Sequence, residues 1–136
     1  MTYQALAAGA KGIIYWVYKG SKYYVRDFPE QWEADKRMAR ELNRIAPVIA
    51  YGKDSNAVSM TAGVGTRAIC KTYNGRGYAI VVNLSRQKRS VELAAPGAAK
   101  LTEIFGAGDL TGDDGRFRFE LEPIGVRVFE TGQAGG

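Results

Sequence analysis

The chain has few of the side chains that enzymes use as bases, nucleophiles or metal ligands. Its 136 residues include no histidine and a single cysteine, Cys70. This composition excludes a histidine-based triad, an internal disulfide and a thiolate metal cage. We therefore expect no bound metal and no cofactor. The 14 carboxylates are the remaining candidates for acid–base chemistry.

The carboxylates occur in positions that structural roles explain. Glu30, Glu33 and Glu41 fall in a stretch with helical periodicity, and we expect them on the surface of that helix. Asp113 and Asp114 precede a glycine, a combination that is typical of a turn. None of these residues suggests a catalytic pair, so we expect no enzymatic activity from this chain.

Aromatic side chains are concentrated in the first quarter of the chain. Tyr18, Tyr23, Tyr24 and Phe28 crowd a polar segment that should be an exposed loop, and Trp32 follows it. Tyrosines clustered on a loop often form a binding surface, because they add contact area at a low cost in conformational entropy. Packing against a neighbouring part of the protein is the alternative, and the sequence leaves both open.

Two elements are predicted before this loop. Thr2–Ala8 is rich in helix-forming residues and is followed by Gly9, a typical C-terminal cap. Ile13–Tyr18 is an unbroken run of β-branched and aromatic residues. Such a run indicates a strand buried on both faces, as in a parallel sheet covered by helices.

An amphipathic helix is predicted after the loop. Pro29 suits the first turn of a helix because its φ is already helical. Apolar residues then recur at spacings of three and four from Trp32 to Ile49, which places them on one face. Pro47 should end the regular helix near Ala46, because proline disfavours a helical residue before it.

From residue 56 onward the pattern changes to short strands separated by turns. Apolar and polar residues alternate in several of them, as expected for half-buried antiparallel strands. The pair Asn74-Gly75 is a strong hairpin signal. The predicted strands are Val58–Met60, Arg67–Tyr73, Tyr78–Asn83, Ser90–Leu93, Lys100–Phe105, Arg116–Glu120 and Val126–Glu130. So many short strands predict a small sandwich.

The order of these elements resembles the C-terminal part of (β/α)8-barrel glycoside hydrolases of the β-galactosidase type. Residues 3–16, YQALAAGAKGIIYW, are similar to the passage from the seventh helix into the eighth strand of that barrel. Residues 32–50 resemble the eighth helix, and 78–85 (YAIVVNLS) and 121–126 (LEPIGV) resemble the sandwich that follows. The predicted fold class is accordingly mainly β, a small antiparallel β-sandwich preceded by an α/β remnant of helix, buried strand and amphipathic helix. The resemblance implies two domains, a barrel remnant at 1–50 and a sandwich at 51–136.

The resemblance implies a non-catalytic role for this part of the family's chain. Retaining glycosidases need two carboxyl groups about 5 Å apart, and in the family these follow the fourth and seventh barrel strands, which would precede Met1. Sugar rings stack on aromatic faces, and the family places an aromatic floor at the position of Trp16, for which core packing is the favoured alternative. The candidate carbohydrate-binding residues are Trp16, Tyr18, Tyr23, Tyr24 and Trp32.

Three functions remain open at this point. The first is a non-catalytic C-terminal fragment of a glycoside hydrolase that supports the barrel and is a candidate for carbohydrate contact. The second is a free-standing carbohydrate-binding module. The third is a basic nucleic-acid-binding β-domain, suggested by the net charge of +5 and the basic turn at 86–89. It is disfavoured because Ile80 and Asn83 replace aromatics that the RNA-recognition signature needs.

The N-terminal third is predicted to need a partner. A lone strand at Ile13–Tyr18 would have two unpaired edges and two apolar faces. We expect residues 1–50 to pair with another copy, to fold back on the sandwich or to be disordered, with a homo-oligomer or the missing barrel portion as partner. No membrane partner is expected, because the start of the chain lacks signal-peptide features and the longest apolar run is far too short to span a bilayer.

Overall fold

The computed structural model describes residues 1–15, 18–106 and 108–132. The chain begins with helix α1 (Thr2–Ala7), followed by a short 3-10 helix (Val25–Asp27) and the long helix α2 (Pro29–Tyr51). The strands that follow are β1 (Lys53–Asp54), β2 (Ser59–Ala62), β3 (Thr66–Tyr73), β4 (Arg76–Asn83), β5 (Arg89–Ala94), β6 (Lys100–Glu103), β7 (Leu110–Thr111), β8 (Arg116–Leu121) and β9 (Val126–Thr131).

The described strands form two antiparallel sheets that share one apolar core. The larger sheet has the order β1-β3-β4-β9-β6-β7 and the smaller one β2-β5-β8. Alternation along β8 turns Phe117, Phe119 and Leu121 toward the core while the residues between them stay exposed. The ring of Phe119 meets that of Phe129 from the larger sheet, with 5.2 Å between centroids. The predicted fold class, mainly β with an antiparallel sandwich, is confirmed.

The outer face of the larger sheet is covered by the two helices. Tyr3 and Leu6 of α1 and Ile45 of α2 pack in one buried cluster with Ile80, Val82 and Val128 of the sheet. In β4, side chains of both faces are therefore buried, which explains its continuous apolar sequence. The chain thus has three layers: helices, a larger sheet and a smaller sheet. The predicted domain boundary at residue 50 stays a prediction.

The strand predicted at Ile13–Tyr18 is wrong for the residues that the structure describes. Ile13, Ile14, Tyr15 and Tyr18 belong to no strand, and the side chain of Ile14 is 92% exposed. A buried parallel strand needs a neighbour on each side and cover on both faces. Both described sheets are antiparallel, and their strands all come after residue 52 in the chain, so no described parallel strand flanks this run. Trp16 and Val17 lie outside the described residues.

Helix α2 begins at Pro29 as predicted, but it does not end at Ala46. It continues through Pro47 to Tyr51. Proline inside a helix costs about 3 kcal/mol because it removes a hydrogen bond and crowds the preceding turn. Ile45 and Val48, on either side of Pro47, are buried, and burying such side chains contributes about 1.5–3 kcal/mol each. Their packing offsets the cost, so the helix continues.

The turn and strand predictions that depend on local sequence are confirmed. Asn74 and Gly75 both have positive φ, 49° and 73°, and join Tyr73 to its cross-strand partner Arg76. This is the two-residue hairpin that such a pair favours. Each of the seven strands predicted after residue 56 is present within a few residues. The two-residue strands β1 and β7 were not predicted. No described helix is long and apolar enough to cross a membrane.

Candidate functional site

The segment 18–28 forms a folded loop that presents aromatic side chains. Lys19 and Tyr24 face each other as an isolated antiparallel bridge, and the amide of Val25 donates to the carbonyl of Tyr18 at 3.1 Å. The side chain of Val25 is buried and anchors the loop beside α2. The loop 18–28 and the adjoining Trp32 are called the aromatic loop below.

Three rings of the aromatic loop contact one another. Tyr18 and Tyr24 meet edge to face, with centroids 5.2 Å apart and planes at 86°. Tyr18 also contacts Trp32 at 5.7 Å. The hydroxyl groups of Tyr18 and Tyr24 are 3.0 Å apart, within hydrogen-bond distance. Edge-to-face pairs of this kind are a preferred aromatic geometry, so the three rings support one another in a fixed arrangement.

A second pair of rings lies on the same loop. Tyr23 and Phe28 stack with centroids 5.3 Å apart and planes at 21°. Their side chains are 40% and 51% exposed, and that of Tyr18 is 48% exposed. Large aromatic side chains that remain this exposed on a loop are typical of a binding surface.

Cations surround the rings of the first cluster. The Arg26 guanidinium lies 5.7 Å from the Trp32 ring centroid, and its Nη1 donates to the Tyr24 hydroxyl at 3.1 Å. The Lys36 ammonium is also 5.7 Å from Trp32, and the Lys19 ammonium is 5.5 Å from Tyr24. These distances are those of cation–π contacts. The cations add positive charge to a surface that the rings already shape.

The two linked tyrosines have pKa values that move in opposite directions. The pKa of Tyr24 is lowered, because hydrogen bonds from Tyr18 and Arg26 stabilise its phenolate. The pKa of Tyr18 is raised, chiefly because of its hydrogen bond with the Tyr24 hydroxyl. The geometry of the pair allows either hydroxyl to donate, and the Arg26 guanidinium, which donates to Tyr24, distinguishes the two tyrosines.

The structure brings together most of the predicted binding residues. Tyr18, Tyr24 and Trp32 form one cluster, and Tyr23 pairs with Phe28. Trp16 lies outside the described residues, so its predicted role stays a prediction. The cations around these rings were not among the predicted site residues. The spacing of these cations in the sequence could have indicated them, because Arg26 follows Tyr24 by two residues and Lys36 follows Trp32 by four, which is one helical turn.

The carboxylates lie on helix α2 and in the turn before β8, where they were predicted, and Cys70 lies on the sandwich. Glu33 forms an ion pair with Lys36 on the surface of α2, and Glu41 accepts a hydrogen bond from the Tyr3 hydroxyl at 2.9 Å. Burial and the Glu41 carboxylate raise the pKa of Tyr3. Asp114 has a φ of 50° in the turn before β8. Cys70 packs on the sandwich core, and burial raises the pKa of its thiol.

Several basic residues in and next to the smaller sheet are paired with carboxylates. Arg116 and Arg118 both pair with Glu92, and Lys88 contacts two glutamates, Glu120 and Glu122. Exposed ion pairs contribute little to stability. They do reduce the positive potential that a nucleic-acid surface requires.

A separate apolar groove lies between the segment 11–15 and α2. Its volume is about 300 Å³. Ile13 and Tyr15 line one side, and Leu42 and Ile49 line the other. Ile14 projects next to it into solvent. The groove is where the run predicted as a strand passes the helix.

Comparisons with known proteins find similarity in solved structures. No model of a protein family matches the chain, and no curated protein sequence matches it either. An Anoxybacillus α-amylase matches with a TM-score of 0.58 and 16% identity, over 79% of this chain and 23% of that chain. An α-amylase from Geobacillus thermoleovorans, solved with acarbose, matches with a TM-score of 0.61 and 16% identity, over 79% of this chain and 24% of that chain. A β-galactosidase from Bacillus circulans sp. alkalophilus matches over 78% of this chain and 12% of that chain at 14% identity. Its TM-score of 0.41 is too low to indicate a shared fold.

At these identities the comparisons establish the fold. The chain spans about a quarter of the length of the α-amylases that it matches. The α-amylases that it matches are glycoside hydrolases, and it corresponds to a small part of each. The predicted resemblance to glycoside hydrolases is confirmed at the level of the fold, and the partial coverage is consistent with a C-terminal fragment.

Proposed function

We propose that this chain is a non-catalytic part of a glycoside hydrolase, which supports a (β/α)8 barrel and contacts carbohydrate through the aromatic loop. The observation that carries the proposal is the fold that the chain shares with about a quarter of each α-amylase. It agrees with the order of elements by which the sequence resembles the end of such enzymes.

The packing of the helices supports a role in holding a barrel. Tyr3, Leu6 and Ile45 fix α1 and α2 to the larger sheet. Ile14 and Tyr15, in contrast, are exposed beside the groove on α2. In the proposed arrangement the sandwich holds the last barrel helix, while residues 13–15 face the strands of the barrel.

The exposed rings of the aromatic loop support carbohydrate contact. A sugar ring has an apolar C–H face that packs on an aromatic ring, while its hydroxyl groups remain solvated. The stacked pair Tyr23–Phe28 offers such a surface, and the hydroxyls of Tyr18 and Tyr24 lie on the same loop.

The proposal is tested first by binding. Wild type, the double variant Tyr23→Ala/Phe28→Ala and the control Tyr51→Ala are incubated with soluble and insoluble glycans at high salt. Tyr51 is a suitable control because it is 76% exposed and ends α2, outside the aromatic loop. We expect wild type and Tyr51→Ala to bind and the double variant to bind at least about tenfold more weakly, since base stacking on an aromatic ring, a comparable contact, is worth 1–3 kcal/mol.

Several outcomes would contradict the proposal. Glycan binding that is unchanged in Tyr23→Ala/Phe28→Ala would exclude this loop as the contact. Hydrolysis of the same glycans by the isolated chain would show that it is catalytic. Binding to nucleic acid that weakens steeply with salt would favour the nucleic-acid alternative. Reading the DNA upstream of the coding sequence tests the parentage, since in-frame barrel sequence is expected there.

A free-standing carbohydrate-binding module remains the second candidate. It is favoured by one observation, that α1 and α2 cover the larger sheet within this chain. A monodisperse monomer that binds glycan, encoded without upstream barrel sequence, would decide in its favour.

A further inference from the structure

The cations of the aromatic loop form no ion pair with a carboxylate of the described chain. They are Lys19, Lys22 and Arg26, and all three are exposed. Asp27 is the acidic residue of the segment 18–28. On the smaller sheet, in contrast, Arg116 and Arg118 share Glu92.

From this charge and these rings we infer that the aromatic loop selects acidic carbohydrate, meaning sugar chains that carry carboxylate or sulfate groups, over neutral carbohydrate. The inference rests on the proposed contact with carbohydrate and specifies the class of ligand.

The side chain of Arg26 is pre-positioned to bind an anion by its contacts with two aromatic residues. Its Nη1 is bonded to the Tyr24 hydroxyl, and its guanidinium lies over Trp32. A guanidinium has five N–H donors in a planar fork, so most remain available for a carboxylate or sulfate. Because these contacts already restrict the side chain, less conformational entropy is lost when an anion binds.

The positive potential extends over the neighbouring ring. The Lys19 ammonium lies 5.5 Å from the Tyr24 ring, whose hydroxyl also meets Arg26. Lys22 stands between Lys19 and the stacked Tyr23 in sequence and adds a third cation to the loop.

An acidic sugar matches both parts of this surface. A uronic acid presents an apolar ring face and a carboxylate on the same residue, so the ring can pack on Tyr23 or Phe28 while the anion pairs with a cation. Charge-assisted hydrogen bonds are about twice as strong as neutral ones. A neutral sugar of the same shape would use the rings but not the cations.

The test compares two ligands with one backbone, polygalacturonate and its fully methyl-esterified form, which lacks the charge. Affinities are measured by calorimetry at low and high salt for wild type, Arg26→Gln, Lys19→Gln/Lys22→Gln and the control Arg86→Gln. Arg86 is an exposed arginine in the turn after β4. We expect wild type and Arg86→Gln to bind the charged polymer about tenfold more tightly than the ester. We expect the loop variants to lose most of this preference and to keep their affinity for the ester.

Each other result separates this inference from the proposed function. Equal affinity of wild type for both polymers overturns the inference and leaves the carbohydrate contact intact. Binding to neither polymer nor to any other glycan removes the contact itself. An equal loss in Arg86→Gln assigns the preference to net charge rather than to the loop and overturns the inference. Oligothymidylate is measured as a third ligand. If it binds more tightly than polygalacturonate and Arg26→Gln weakens that binding, the inference is overturned in favour of single-stranded nucleic acid.

Discussion

Asn83 is the most densely hydrogen-bonded polar side chain of the sandwich core. Its Nδ2 lies within 3.2 Å of the carbonyls of Gln87, Leu121 and Glu122. Its Oδ1 accepts from the amide and hydroxyl of Ser85 at 2.9 and 2.8 Å. One buried side chain thus ties the connection after β4 to the connection after β8, where the two sheets meet.

Replacing Asn83 should therefore cost more than a typical core substitution of its size. Asn83→Ala removes the hydrogen bonds made to the buried Leu121 carbonyl and to partly buried groups of Ser85, Gln87 and Glu122, and each group that stays out of reach of water costs about 1–3 kcal/mol. We expect the free energy of unfolding in urea to fall by about 2–4 kcal/mol. The matched change Asn43→Ala, at an exposed position of α2, should alter it by less than about 0.5 kcal/mol. A loss from Asn83→Ala as small as that of the control would show that water replaces these bonds.

The linked tyrosines allow a prediction about titration. The hydrogen bond with Tyr18 lowers the pKa of Tyr24, because the Tyr18 hydroxyl can donate to the Tyr24 phenolate. Removing that hydroxyl in Tyr18→Phe should raise the pKa of Tyr24 toward the ordinary tyrosine value, because its phenolate loses a hydrogen bond. Arg26→Gln should act in the same direction. NMR titration of the tyrosine ring signals measures the shift, and Tyr23→Phe is the control that leaves Tyr24 unchanged. A fall in the pKa of Tyr24 in Tyr18→Phe would show that the Tyr18 hydroxyl does not stabilise the Tyr24 phenolate.

At the scale of the elements, what the sequence predicted correctly is what depends on near neighbours along the chain. The alternation in β8 and the pair Asn74-Gly75 contain their own explanation, because a pleat and a positive φ are local properties. Whether Ile13–Tyr18 forms a strand depends on whether another strand is available to pair with it, and no local sequence pattern contains that information. The same distinction applies to Pro47, whose cost is local but whose compensation comes from the sheet.

The candidate site divides in the same way. Crowding of aromatic residues between Tyr18 and Trp32 is visible in the sequence, and it located the loop. The pairing of Tyr23 with Phe28, rather than with the adjacent Tyr24, is set by the bridge between Lys19 and Tyr24 and by the 3-10 helix that follows. Such pairings depend on the folded backbone, so composition alone could not predict them.

The cost of Pro47 inside helix α2, in free energy of unfolding, can be measured directly. Pro47→Ala restores an N–H donor inside the helix and relieves the crowded turn, so we expect the free energy of unfolding to rise by about 1–3 kcal/mol. Pro29→Ala is the matched control, since a proline in the first turn gives up no helical hydrogen bond, and we expect no gain there. Urea unfolding followed by circular dichroism measures both. A lower stability of Pro47→Ala would mean that a bend at Pro47 is needed for α2 to fit the sheet.

At the scale of the whole molecule, the three layers leave one apolar segment uncovered. Of the outcomes expected for residues 1–50, folding back on the sandwich is realised by α1 and α2, which bury Tyr3, Leu6 and Ile45. Residues 13–15 are different, because Ile14 projects into solvent beside the groove on α2. The sandwich therefore covers apolar side chains of the two helices but leaves Ile14, in the segment between them, exposed.

This uncovered segment leads to a prediction about association. In the absence of a barrel, we expect Ile14 of one copy to pack in the groove of another, so that the weight-average mass rises with concentration. Ile14→Glu should abolish that rise, because a carboxylate is too costly to desolvate in an apolar groove. It should change the free energy of unfolding by less than about 0.5 kcal/mol, since the side chain is exposed in the single chain. Light scattering over a range of concentrations measures the mass, and Val64→Glu, at an exposed apolar residue of the β2–β3 turn, is the control that should still associate. A wild-type chain that stays monomeric throughout would show that residues 13–15 need no partner, and this result would favour the free-standing module.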